Sequence, residues 1–139
     1  MVQTVREVMT VAPITLPTDA PLVEAARLMR DRDIGDVIVV EGEDAAGIVT
    51  DRDIVVRGMA EGGDPNEMRV GQVVSGDLVS VAPDDPVERA IQLMREKAIR
   101  RLPVLEEGKP VGVITIGDLA VERDAESVLA DISEEPPTR

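Results

Sequence analysis

Residues 5–56 recur at residues 70–121, at a constant offset of 65 (70 − 5) and without a gap. Val5, Val8, Asp19, Pro21, Ala25, Leu28, Met29, Arg30, Ile34, Val39, Glu41, Gly47, Thr50, Asp53 and Val56 all return. Most other aligned positions exchange one aliphatic for another, as in Ile48/Val113 and Ile54/Leu119. A period of this length is too long for the common solenoid units and marks one small fold present twice. A unit near 60 residues hides only about 60% of its unfolded surface. Two such units are therefore expected to pack face to face about a pseudo-two-fold axis, with duplicated clefts between them.

Burial must come from Val, Ile, Leu, Met and Ala, because the chain has no Phe, Tyr or Trp. There is no Cys, which removes disulfides and thiolate metal sites, and no His, which removes zinc sites and imidazole acid–base chemistry. Only a carboxylate site for Mg²⁺ or Ca²⁺ would remain open, and no metal is assigned. A net charge of −13 opposes nucleic acid and anionic membrane surfaces. No apolar run approaches the roughly 20 residues of a spanning helix, and Met1–Thr10 lacks a signal-peptide core. A cytoplasmic protein is expected. Arg outnumbers Lys, as in a GC-rich genome or a salt-adapted proteome.

Each half reads β-α-β-β-α, an α+β arrangement. In the first, Thr4–Met9 is a helical lead-in with Thr4 and Glu7 spaced for a capping box. Ile14–Leu16 is a strand, and Thr18-Asp19-Ala20-Pro21 opens a helix whose stripe of Leu22, Ala25, Ala26, Leu28 and Met29 runs to Arg32. Strands follow at 37–40 and 46–49, and Thr50 opens a helix carrying Ile54, Val55 and Met59. The second half gives strand Leu78–Val81, helix Pro86–Lys97, strands Leu102–Leu105 and Val111–Thr115, and a helix from Ile116. Met29, Met59 and Met94 read as fillers on apolar stripes. The expected organisation is a first repeat with lead-in at 1–61, a linker at 62–69, a second repeat at 70–124, and a C-terminal helix with a disordered tail at 125–139.

The sharpest element is Gly47-Ile-Val-Thr50-Asp-Arg-Asp53, echoed by Gly112-Val-Ile-Thr115-Ile-Gly-Asp118. In both, an apolar strand ends in Thr and a helix starts, with Asp three residues later. Helix starts expose unpaired N–H groups and suit an anion such as phosphate. A carboxylate one turn in accepts hydrogen bonds from neighbouring hydroxyls, as on a ribose. The same spacing is that of a capping box, in which Thr and Asp only satisfy the helix end. Asp31-x-Asp33-x-Gly35-Asp36 has a faint look of a calcium loop but lacks its length and terminal Glu.

These elements together resemble tandem CBS domains. The resemblance rests on Val8-Met9-Thr10, Ile14-Thr15-Leu16, the Asp19-x-Pro21 helix start, Arg100-Arg101-Leu102-Pro103-Val104 and both Gly-x-x-Thr-x-x-Asp endings, and covers about residues 4–122. Thr50–Val55 and Asp64-Pro65-Asn66 look like the stand-alone bacterial CBS-pair proteins of hypoxic and stress responses. The resemblance implies clefts that bind adenosine-containing ligands: AMP, ADP, ATP (with Mg²⁺ where ATP binds), S-adenosylmethionine or NAD. It implies that Thr115 meets phosphate or ribose, that Asp118 meets the ribose hydroxyls, and that Ser80, Ile99, Arg100, Arg101 and Pro103 line the second pocket. Thr50 and Asp53 would serve the first, with Thr15, Ile34, Asp36 and Ile38 around them. Leftover helix faces imply a homodimer.

The two sets differ in charge. Asp36, Asp51 and Asp53 against Arg52 sum to about −2, while Arg100 and Arg101 against Asp118 sum to about +1; at about 8 Å this favours phosphate at the second by at least about 1.5 kcal/mol. The expected function is regulation by ligand binding, without catalysis, acting in trans on an unknown effector protein. The rivals are a ligand-independent adaptor whose Thr-x-x-Asp pairs are only caps, and a carboxylate enzyme.

Overall fold

The structure is a computed structural model that describes residues 3–11, 13–74 and 78–123. In chain order it contains α1 (Val5–Val8), β1 (Thr10–Val11), β2 (Thr15–Pro17), α2 (Leu22–Arg32), β3 (Asp36–Glu41), β4 (Asp44–Thr50), α3 (Asp51–Asp53), α4 (Val87–Lys97), β5 (Arg101–Glu106), β6 (Lys109–Thr115) and α5 (Ile116–Arg123). The mixed helix and strand content is the expected α+β class. The proposed helix and tail at 125–139 lie outside the described residues.

The chain forms two compact units, and their borders are not those of the repeat. Among the described residues, one unit joins 3–11 to 79–107 and to 111–123; the other is built from 13–74 and Leu78 with 108–110. In the first, a sheet of order β1-β6-β5 sets β1 antiparallel on β6, with Thr10 opposite Val113 and Val11 opposite Gly112. Its core holds Val87, Ala90, Leu93 and Met94 from α4 against Leu102, Val104 and Ile114, and Val5 of the lead-in is fully buried among them. In the second unit the sheet order is β2-β3-β4, with β2 parallel to β3 and β4 antiparallel to it. Leu22, Ala25 and Met29 from α2 pack there on Val37, Val39 and Val49, together with Val70 and Val73, the lead-in of the second repeat.

The lead-ins are therefore exchanged, and the same bonds fix both. Val5 N donates to Asp85 O at 2.8 Å and Val70 N to Ala20 O at 2.9 Å. Arg6 N donates to Pro83 O and Gly71 N to Thr18 O; Val87 N donates to Gln3 O and Leu22 N to Met68 O. Each pair is related by the offset of the sequence repeat. Thr4 N also donates to Glu7 Oε1 at 2.9 Å, half of the expected capping box. Arg6 bridges Asp84 and Glu106, and these carboxylates hold its guanidinium above its ordinary range, with the Glu106 hydrogen bond the largest cause.

Two expectations need correction. The strand expected at Leu78–Val81 is reduced to a single bridge, Val81 to Val104. In the first repeat the corresponding ladder uses Ile38 N to Ile14 O and Thr18 N to Val40 O. The equivalents of those donors are Pro103 and Pro83, which carry no N–H, so the ladder cannot extend. The helix after Thr50 becomes a π turn over Ile54–Met59, with Ala60 N bonded to Val55 O at 2.9 Å. Gly58 lies against the buried Leu22, where a Cβ would stand 2.8 Å from its Cδ2. Ile54 and Gly58 face the core, while Met59 is 59% exposed and is no core filler, unlike Met29 and Met94.

Candidate functional site

Each set of expected residues falls within one unit, so each is built by one sheet and the helix that leaves it. In the β2-β3-β4 sheet, Val37, Val39 and Val49 point into the core. The residues between them point to the other face, because side chains alternate along a strand. That second face carries Asp36 and Ile38 from β3. Their register partners share it: Thr15 and Ile48 lie opposite Ile38, and Thr50 lies opposite Asp36. Ile38 is only 2% exposed. Asp53 joins this group through Thr50, and Ile34, just before β3, packs partly on the core instead.

The Thr50–Asp53 motif forms the capping box in full. Asp53 N donates to Thr50 Oγ1 at 3.0 Å, and Thr50 N donates to Asp53 Oδ2 at 2.9 Å. The rest of this helix start is also occupied: Asp51 N donates to Gly35 O, and Arg52 N donates to Asp51 Oδ1 at 2.8 Å. Asp53 is buried, and its second oxygen, Oδ1, lies 3.6 Å from Arg57 Nε. Arg57 is the residue that the sequence reading missed. Its signal was there in the i, i+4 spacing from Asp53, which places the two on one helix face. With Arg57 counted in the first set and its repeat equivalent Glu122 in the second, the sums become −1 and 0, and the difference falls from three units to one. The charge preference becomes about 0.5 kcal/mol instead of about 1.5.

The second set repeats the frame with different occupants. Asp118 N donates to Thr115 Oγ1 and Thr115 N to Asp118 Oδ2, both at 3.0 Å. Ile116 N donates to Arg100 O at 3.0 Å, which ties the helix start to the residue before β5. Arg101 and Pro103 alternate with the core residues Leu102 and Val104 and so lie on the opposite face of β5. Pro103 O accepts from Val81 N, which brings the Ser80 segment alongside. Ile99 packs partly on the core, as Ile34 does. Two groups here differ from the first set. Asp118 is half-buried, and its Oδ1 meets no cation among the described residues. The residue before Gly117 is Ile116, so no side-chain carboxylate stands where Asp51 bonds Arg52 N. Position 122, equivalent to Arg57, is Glu.

The faint calcium loop gains nothing. Asp31 bonds Arg30 Nε at 2.8 Å, and that guanidinium holds its carboxyl below the usual carboxylate range. Among the described residues no cluster of three or more acidic side chains could hold a metal ion. None of their helices is long and apolar enough to cross a membrane.

Comparison with known proteins agrees with this frame. The CBS domain family matches the chain twice, at residues 5–59 and 70–123. The chain is 39% identical over 133 residues to the CBS domain-containing protein YhcV of Bacillus subtilis, covering 93% of this chain and 94% of that protein. It is 33% identical over 118 residues to hypoxic response protein 1 of Mycobacterium tuberculosis, covering 84% and 82% of the two. Among solved structures, Hypoxic Response Protein I with two coordinated zinc ions superposes with a TM-score of 0.80 at 31% identity, over 86% of this chain and 98% of that one. The zinc ions belong to that protein; this chain has neither His nor Cys to offer such a metal.

Proposed function

The chain belongs to the CBS-domain family, and on that premise we propose that it is a regulatory module that binds an adenosine-containing ligand and acts in trans on a partner protein. AMP, ADP or ATP is the favoured class, with S-adenosylmethionine and NAD as alternatives. One observation carries the reading. At the second helix start, Asp118 Oδ1 and the Gly117 N–H have no side-chain partner among the described residues, and the Arg100–Arg101 pair stands at the neighbouring strand. An open carboxylate oxygen accepts from ribose hydroxyls, and a helix start flanked by guanidiniums suits phosphate.

The chemistry is binding without turnover. Asp118 and Thr115 hold each other through two hydrogen bonds, and the reading gives them contacts to a ligand as their role. A ligand regulates only if it binds two conformations with different affinity, so the output is a shift in the populations that a partner recognises. Apolar helix faces left by α4 and α5 favour a homodimer. A groove of about 350 Å³ runs between them, lined by Ile91, Met94, Arg95, Ile116, Leu119 and Ala120. Two-fold closure is the commonest form of assembly. A cytoplasmic setting fits a nucleotide ligand.

The second reading, a ligand-independent adaptor, is favoured by one observation, that both Thr-x-x-Asp pairs form complete capping boxes. Calorimetric titration with AMP and ATP separates the two. The nucleotide reading expects a tight event that Asp118→Ala removes and Asp53→Ala leaves nearly intact. Absence of any heat from the folded wild-type protein across the nucleotide panel would leave the adaptor. The protein has no Trp, Tyr or Cys, so carried-over nucleotide would also stand out as a 260 nm band over an almost transparent 280 nm region.

A further inference from the structure

The two helix starts share a frame and differ in what fills it. In the first, the groups of the helix start that could receive a nucleotide already have partners from the chain itself. The Asp51 carboxylate takes the Arg52 N–H at 2.8 Å, the place where a phosphate oxygen would bond. The Arg57 guanidinium lies 3.6 Å from Asp53 Oδ1, the place where a ribose hydroxyl would donate. The other oxygen of Asp53 and the Thr50 hydroxyl are held in the capping box. The second helix start has Ile116 in place of Asp51 and Glu122 in place of Arg57, so neither substitute is present.

We propose that Asp51 and Arg57 act as built-in stand-ins for the ligand, an anion for its phosphate and a cationic donor for its ribose, and so keep the first repeat closed while the second binds. The inference rests on the nucleotide reading of the second repeat. A ligand entering the first site has to displace two charge-assisted contacts, one of them on a carboxylate whose residue is only 7% exposed. It also meets the negative charge of Asp51 head on. Arg57 cannot serve instead as the phosphate anchor while its guanidinium is turned to Asp53.

The test uses the full chain and counts bound ligand by equilibrium dialysis. AMP probes the phosphate half of the site, and adenosine, which has no phosphate, probes the ribose half. The wild-type protein is expected to take up one AMP per chain, and the Asp51→Ala, Arg57→Gln double variant two. Arg57→Gln alone should raise adenosine uptake at the first repeat by about tenfold or more in affinity, the removal of about 1.4 kcal/mol of competing contact. Both side chains are exposed, and far-ultraviolet circular dichroism identical to wild type confirms that the variants are folded. Two equivalent AMP sites in the wild-type protein would overturn the closure of the first repeat and leave the nucleotide reading intact. A double variant that stays at one site would do the same. Loss of adenosine binding in Arg57→Gln would make Arg57 a ligand contact and likewise overturn it. Wild-type protein that takes up neither probe would instead remove the nucleotide reading on which the inference stands.

Discussion

The Val5 amide donates to the Asp85 carbonyl at 2.8 Å, so the first buried residue among those described is secured by the second repeat. The symmetric bond, Val70 to Ala20, secures the second lead-in to the first repeat. Val5 and Val70 are both fully buried, and Ala at either position removes two methyl groups and leaves a cavity. Each substitution is expected to destabilise the protein by about 2 kcal/mol. Urea denaturation followed by far-ultraviolet circular dichroism measures it. Equal losses are expected at the two positions, because their bonds and cores correspond; an effect at only one of them would break the correspondence.

Much of this architecture was legible in the sequence. The Asp19-x-Pro21 start, the end of that helix at Arg32 and the Thr50 and Thr115 boxes are local, and local chemistry is readable at a distance of three or four residues. The exchange of lead-ins was not legible. Val5 and Val70 occupy equivalent positions, and either repeat offers the same apolar slot to either one, so periodicity cannot tell own from other. The short ladder at Val81 could have been foreseen from Pro83 and Pro103, had each missing donor been traced to its partner strand. The π turn was not legible, and it carries Gly58 against Leu22, a contact distant in sequence that no local spacing announces. Among the site residues, Ile34 and Ile99 were expected to line the pockets, and their partial packing on the cores was not foreseen; the pairing of Asp53 with Arg57 was overlooked.

Gly112 permits the pairing of β1 on β6. A Cβ there would stand 2.8 Å from the Thr10 carbonyl oxygen, which is backbone and cannot turn aside. Gly112→Ala is expected to cost roughly 1–3 kcal/mol, in the range of overpacked sites. Hydrogen exchange should show faster exchange at β1 and β6 than at β2, β3 and β4. Uniform acceleration across both sheets would place the strain elsewhere.

Thr115→Ala separates cap from ligand contact. Loss of an N-cap hydroxyl costs about 1 kcal/mol of stability. The same loss is expected for Thr50→Ala, measured by thermal unfolding without nucleotide. Only Thr115→Ala should also weaken AMP binding, by about tenfold, the loss of one charge-assisted hydrogen bond. Equal weakening by both variants would contradict a single working site.

Ala98 ends α4 at φ 55° and ψ 44°, a left-handed conformation that a Cβ disfavours. Glycine removes that strain and adds some freedom to the unfolded chain, and the two partly cancel. Ala98→Gly is expected to stabilise the protein by about 0.5–1 kcal/mol. A lower thermal midpoint than wild type would refute this.

For assembly, light scattering at micromolar concentration should give twice the chain mass of 14.9 kDa. Ile116 is 48% exposed at the edge of the α4–α5 groove, and Ile91 lines it. Ile91→Glu is expected to shift the population to monomer, since a carboxylate in an apolar contact is strongly disfavoured. A wild-type mass equal to that of the single chain would end the proposal.

The crossed lead-ins also set an order of events at the ribosome. The residues of the 13–74 core emerge as one continuous stretch and can close while the rest is still being made. The other core cannot, because it needs α1 and β1, made first, together with β5, β6 and α5, made last. Until then Val5, Val8 and Met9 lack the core that covers them in the finished fold, and transiently exposed apolar groups favour aggregation. Slowed translation after residue 74 would lengthen the exposure of these residues without changing the finished fold.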